Sequence, residues 1–148
     1  MPRNVPAVSN VNPAIATWTG PLGLPDFSSI DDRDFETAFA VALPAHLAEI
    51  DAIASNPEEP TFKNTISALE LAGDLLTKAS AIFWNMAGAN TNDTVQKLER
   101  KLSPELSRHH SAIMMNRALF SRIDALNQQR KSLGLDAEAD RVLELTWK

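Results

Sequence analysis

Thr61-Phe62-Lys63-Asn64-Thr65-Ile66-Ser67-Ala68-Leu69-Glu70-Leu71-Ala72-Gly73-Asp74-Leu75-Leu76-Thr77-Lys78-Ala79-Ser80-Ala81-Ile82-Phe83-Trp84-Asn85-Met86, continuing to Asp93, decides the fold. Within it Thr61, Phe62, Ile66, Leu69, Ala72, Leu76, Ala79, Phe83 and Met86 recur at steps of three and four residues, which draws one apolar stripe along a helix. A run of about 28 residues at about 1.5 Å each is roughly 42 Å long. Burying one stripe does not offset the entropy of ordering so many residues, so this helix needs neighbours. The flanking sequence supplies them. The predicted fold class is all-α, an antiparallel multi-helix bundle of about five helices, two of them kinked at proline, with an extended N-terminal strap.

Before the central stretch, Asp31 is a good N-cap, and Asp32 and Asp34 suit the positive end of a helix dipole. Phe35, Phe39, Leu43, Leu47, Ile50 and Ala54 then form a stripe that keeps phase across Pro44, which predicts one kinked helix and not two. Asn56 to Pro60 turns the chain into Thr61, itself a cap. Gly73 inside the central helix costs about 1 kcal/mol relative to alanine unless a neighbouring backbone comes close, and close approach is the preferred reading. Beyond Gly88, Asn92 caps a third helix carrying Val95, Leu98, Leu102, Leu106, His109 and Ile113 in phase through Pro104. Asn116 caps a fourth with Leu119, Phe120, Ile123, Leu126 and Leu133 inward, stopped by Gly134, and Asp136 caps a fifth with Ala139, Val142, Leu143 and Trp147.

Residues 1–30 read differently. Met1 to Pro13 is polar and aperiodic, which predicts a mobile or loosely docked arm. Trp18 to Phe27 holds two glycines and two prolines that forbid regular structure, yet Trp18, Leu22, Leu24 and Phe27 are too apolar for a free loop. It is expected as a strap across the outside of the bundle; a ligand-contacting loop is the weaker reading, since only Asp26 there titrates. At the other end the amphipathic pattern is still running at Lys148, with no glycine, asparagine or proline to close it. That reads as a helix cut short, a frayed terminal helix being the alternative, with apolar surface exposed near Leu145 and Trp147 and self-association expected.

Composition narrows function by exclusion. The 148 residues carry a net charge of −5 and are 44% hydrophobic, ordinary for one globular domain. Through Phe62 there are two basic and nine acidic residues, and beyond it twelve basic and ten acidic, so no basic face invites nucleic acid. Cysteine is absent, which removes thiolate zinc sites and cysteine nucleophiles. No apolar run of signal-peptide length occurs in the first thirty residues, and no stretch reads as a membrane span. A soluble, cytoplasmic protein is expected, without membrane partners.

Chemistry is sparse. His46, His109 and His110 are the only imidazoles. Adjacent His109 and His110 point about 100° apart on a helix and cannot both face one ion as an i, i+4 pair does. His109 continues an apolar stripe and reads as a hydrogen-bonded core or interface histidine; His46 shares a face with Ile50 and reads as half-buried. Asp31, Asp32 and Asp34 are explained by capping, and nothing shows Glu58 and Glu59 converging on a cleft. Phe83 is predicted inward and Trp84 flanking, as helix packing or else as the wall of a peptide channel. Neither a phosphate-binding glycine loop nor a nucleophile elbow is present.

Taken in order, Pro60-Thr61-Phe62-Lys63-Asn64-Thr65-Ile66, Ala68-Leu69-Glu70, Gly73-Asp74-Leu75-Leu76, Ala89-Asn90-Thr91-Asn92-Asp93 and Asn116 with Leu119-Phe120-Ser121-Arg122-Ile123 resemble the N-terminal region of the M3 (thimet oligopeptidase-like) zinc metallopeptidases. The strap and Leu133-Gly134-Leu135-Asp136 are most similar to the bacterial peptidyl-dipeptidase branch. The likeness runs from about Trp18 to Lys148. It implies a larger helical parent whose lobes flank a channel, with zinc held by a His-Glu-x-x-His helix and a later glutamate, none of which occurs in this sequence. No catalytic, cofactor-binding or metal residue carries over. What carries over is structural: residues 31–148 as a helical segment of a lobe, inactive alone, partnered by the rest of the parent and, through it, by short peptides. A stand-alone helical bundle serving as a protein-interaction module is the alternative.

Overall fold

The computed structural model describes residues 12–89 and 91–148, so most of the arm expected over Met1 to Pro13, and Asn90 in the exit loop, lie outside the described residues. The all-α prediction holds: helices α1 (Asp32–Ala54), α2 (Ala68–Leu71), α3 (Asp74–Ala89), α4 (Asp93–Met114), α5 (Arg117–Gln128) and α6 (Ala137–Trp147) follow one another, with no strand among the described residues. Four of the predicted caps close on their helices. Asn64 N donates to Thr61 Oγ1 at 3.0 Å, Val95 N to Asn92 Oδ1 at 2.8 Å, Leu119 N to Asn116 Oδ1 at 3.0 Å and Ala139 N to Asp136 Oδ1 at 2.8 Å. At the start of α1 the cap works in reverse, Asp31 N donating to Asp34 Oδ2 at 2.8 Å.

The stretch from Thr61 is not one helix. It opens as a π-helix, Phe62–Ser67, passes into α2, and breaks where Ala72 is extended (ψ 149°) and Gly73 takes φ +79°. Gly73 does admit a close neighbour, but the neighbour is a side chain and not a backbone: a Cβ there would lie 3.0 Å from the His46 ring. Glycine is thus required twice, for the left-handed backbone and for the imidazole against it. Gly73 N also donates to Glu49 Oε2 at 2.6 Å, which ties the break to α1.

That break moves the organising role to α1, which packs on α2, α3, α4 and α5. Phe35 and Phe39 meet Phe83 while His46 meets Gly73, so α1 and α3 are antiparallel. α4 then returns alongside α1 in the same direction, as the pairs Asp32–Asn92, Glu36–Lys101 and His46–His109 show. α5 and α6 are again antiparallel, Asp124 meeting Trp147 and Arg130 meeting Asp140. Helices α1 and α4 run unbroken through Pro44 and Pro104. Both prolines are exposed, as are Ala40 and Arg100 four residues earlier, so the carbonyls that lose a helical N–H partner lie on the solvent side.

Two apolar cores result. One joins Phe35, Phe39, Ile82, Phe83, Val95 and Leu102; the other joins Ile50, Ile66, Leu119, Ile123, Leu126 and Leu143. The single stripe read along Thr61 to Met86 therefore serves both, its first part the second core and its last part the first. α1 is also long and apolar enough to cross a membrane by length and composition, its 18-residue window reaching a mean hydropathy of 1.3, which corrects the expectation that no stretch would. Its buried Phe35, Ala38, Phe39, Ala42, Ile50 and Ile53 are consumed in the protein's own core.

Three further expectations are revised. α5 ends at Gln128, before Gly134, and a single 3₁₀ turn, Arg130–Ser132, carries the chain on. Phe120, predicted inward, is 52% exposed, because its neighbour Leu119 holds the core side about 100° away. In the strap Trp18 packs on the first core and Pro25 is buried, but two 3₁₀ turns, Pro21–Gly23 and Phe27–Ser29, leave Leu22, Leu24 and Phe27 exposed.

Candidate functional site

Between the two cores α1 and α4 each present a histidine. His109 Nε2 lies 2.9 Å from His46 Nδ1, 63 residues apart in sequence, and the ring centroids are 5.0 Å apart. His109 is buried, His46 half-buried and His110 exposed, which bears out the reading of His109 as a hydrogen-bonded interface histidine. Nδ1 of His109 is buried with no partner among the described residues. The neutral tautomer that carries its proton on Nε2 and donates to His46 Nδ1 avoids burying an unpaired N–H there. His46 in turn lies against Gly73, so one contact chain links α4, α1 and the α2–α3 break.

Burial, then the neighbouring His46 and His110, push the His109 imidazole below its ordinary value of 6.5. The unfolded chain therefore binds a proton at this site at a pH where the folded chain does not. The contribution is whole above pH 6.5 and is lost as pH falls from there through the depressed folded value. Urea unfolding should accordingly give lower stability at about pH 5.5 than at about pH 7.5, and His109→Leu should flatten that difference. An unchanged slope in the variant would remove His109 from the account. The carboxyls of Asp140, held low by Arg130, and of Glu144, held at about 2 by Lys148 and Arg141, act in a more acid range.

The acidic pairs do not build a cleft: Asp31 and Asp34 are spent on capping, and Glu58 and Glu59 are both exposed, Asn64 Nδ2 donating to the Glu59 backbone carbonyl at 3.0 Å. Phe83 is fully buried and Trp84 40% exposed, as predicted, with their rings edge-on at 5.0 Å. Among the described residues no group of three His, Asp or Glu is placed to hold a metal ion. The zinc implied by the resemblance therefore finds no ligand set in these residues, and no chemical step is routed through it.

Arg122 belongs to the Leu119–Ile123 motif that carries the resemblance. It is 8% exposed, and its Nη1 donates to the carbonyls of Asn56 at 2.8 Å and Glu58 at 2.9 Å while Nη2 reaches Asn64 Oδ1 at 3.0 Å. Thr61 N donates to that same Asn64 oxygen at 2.8 Å. The motif residues Thr61, Asn64 and Arg122 are thus one hydrogen-bonded knot that fastens α5 to the turn before the π-helix. No single-residue signal announced it, because arginine ordinarily reads as surface.

Two grooves flank these elements. One, of about 430 Å³, lies between Leu43, Pro44 and Leu47 of α1 and Glu105, His109 and Ala112 of α4. Another, of about 280 Å³, lies where α4, α5 and α6 meet, lined by Leu69, Ile113, Met114, Phe120, Ile123 and Trp147.

No family model matches the chain. Over 138 residues, 93% of this chain, it is 41% identical to dipeptidyl carboxypeptidase of Escherichia coli strain K12. The chain is similar to part of dipeptidyl carboxypeptidase. A second such protein, from Salmonella typhimurium strain LT2, is 39% identical over 136 residues, 92% of this chain. The chain spans about one fifth of the length of these curated relatives, 20% in each case. The likeness to the peptidyl-dipeptidase branch read from the ordered motifs is borne out.

Proposed function

We propose that this chain is the N-terminal helical segment of an M3 zinc metallopeptidase of dipeptidyl carboxypeptidase type, the whole enzyme releasing C-terminal dipeptides from oligopeptides. The segment's own role is scaffold: its helices help wall the peptide channel, and the zinc ligands and the water-activating glutamate come from elsewhere in the parent. The observation that carries the reading is 41% identity over 93% of the chain against 20% of the E. coli protein. A helical body with two cores joined by a histidine pair between α1 and α4 supports a part that positions others' chemistry.

The test is a chimera. The matching stretch of the E. coli enzyme is replaced by this chain, and zinc content and dipeptide release from an oligopeptide are measured. A zinc-loaded chimera that keeps at least a tenth of the parent's rate is expected. A chimera that fails to fold or to turn over where the unaltered enzyme succeeds would defeat the reading.

A further inference from the structure

We infer that the groove at the α4–α5–α6 corner seats an amphipathic helix supplied by the remaining four fifths of the peptidase, an inference that rests on the peptidase reading above. Its floor is Leu69, Ile113 and Ile123, and its walls are Met114, Phe120 and Trp147. The other lining residues include Asn116, Thr146 and Lys148, and no acid lines it. Met114 is 67% and Phe120 52% exposed, so these walls stand in water, while Leu119 and Ile123 beneath them belong to the second core. Phe120 thus stands apart from the buried side of α5, beside the exposed Met114 at the end of α4.

The walls are held in place before any partner arrives. Trp147 Nε1 donates to Asp124 Oδ1 at 2.9 Å, which fixes the indole, and Asn116 caps α5 below Phe120. The groove is open to solvent and lined mainly by apolar side chains with no charged group but Lys148, a surface suited to inserted apolar side chains. Inserted side chains on a helix face, met by a methionine that adapts its shape, are the helix-in-groove mode.

Area decides between a segment of the same enzyme and a second copy of this chain. Three side chains of roughly 200 Å² each, about half exposed, offer on the order of 300 Å². A stable two-chain interface needs about 800 Å² per partner. A covalently tethered helix works at millimolar effective concentration and needs far less.

Phe120→Asp and Met114→Glu test the inference in two settings. In the 148-residue chain each variant should melt within about 2 °C of the unsubstituted chain, because neither side chain is core. In the chimera with the E. coli enzyme each should cut dipeptide release or the yield of folded enzyme at least tenfold. An active chimera indifferent to both substitutions would overturn the groove while leaving the peptidase reading intact. A chimera inactive even with the native groove would take down both. Two other results would also overturn it: both variants unfolding the isolated chain, which would make the walls part of its own core, or a native dimer that Phe120→Asp turns to monomer, which would make a second copy the occupant.

Discussion

Phe83→Ala should cost about 3–5 kcal/mol, a large share of the roughly 5–15 kcal/mol that holds an ordinary domain together. Phe83 is fully buried and meets Phe35 edge-on at 5.3 Å, Phe39 at 5.8 Å and Trp84 at 5.0 Å. Truncation removes the ring's transfer energy and the quadrupole contacts, and the two phenylalanines of α1 cannot collapse into the space without leaving their own positions. The loss should also be uneven, because Phe83 belongs to the first core alone. Hydrogen exchange at the amides of α3 and the first half of α4 should open at lower free energy than those of α5 and α6, which rest on Leu126 and Leu143 in the second core. Equal losses in both sets would show that the two cores, joined through the His46–His109 contact, unfold as one unit.

The division into two cores marks where sequence reading stopped. Caps were legible because each is a local bargain between one side chain and a backbone N–H three residues on, as Asn92, Asn116 and Asp136 show. Stripes were legible too, since burial of Val95, Leu98, Leu102 and His109 on α4 needs only a constant period. The break at Gly73 was hidden by that same constancy: Leu69, Ala72 and Leu76 keep helical spacing although Ala72 is extended and Gly73 left-handed between them. Periodicity counts residues and cannot see a break that preserves the count. The π-helix at Phe62–Ser67, whose wider turn brings Thr65 and Ile66 both inside, has no sequence mark of its own. The site residues divide in the same way. His109 could be read as an interface histidine from its stripe, but its partner His46 stands 63 residues away, and spacing carries no information at that range.

Arg122→Met is expected to cost about 2–4 kcal/mol, nearly as much as a core truncation, although methionine keeps most of the buried stem. What it loses is the guanidinium that serves the carbonyls of Asn56 and Glu58 and the side chain of Asn64 together. Those oxygens would be left with desolvation partly incurred and no donor, so the penalty exceeds the net value of the bonds themselves. Arg122→Lys should recover only part of it, because an ammonium is a point donor and cannot reproduce a planar fork that reaches three acceptors from two nitrogens. Asn64→Ala should couple to Arg122→Met in a double-mutant cycle by more than about 0.5 kcal/mol, since Asn64 Oδ1 also takes Thr61 N and so joins the helix cap to the arginine. Urea denaturation of the four proteins at one pH measures the cycle. Strict additivity would mean that the three motif residues are neighbours without being a unit; coupling would mean that the turn from α1 into the π-helix is held from α5, and that this hold fixes how the second core closes around Ile66 and Ile123.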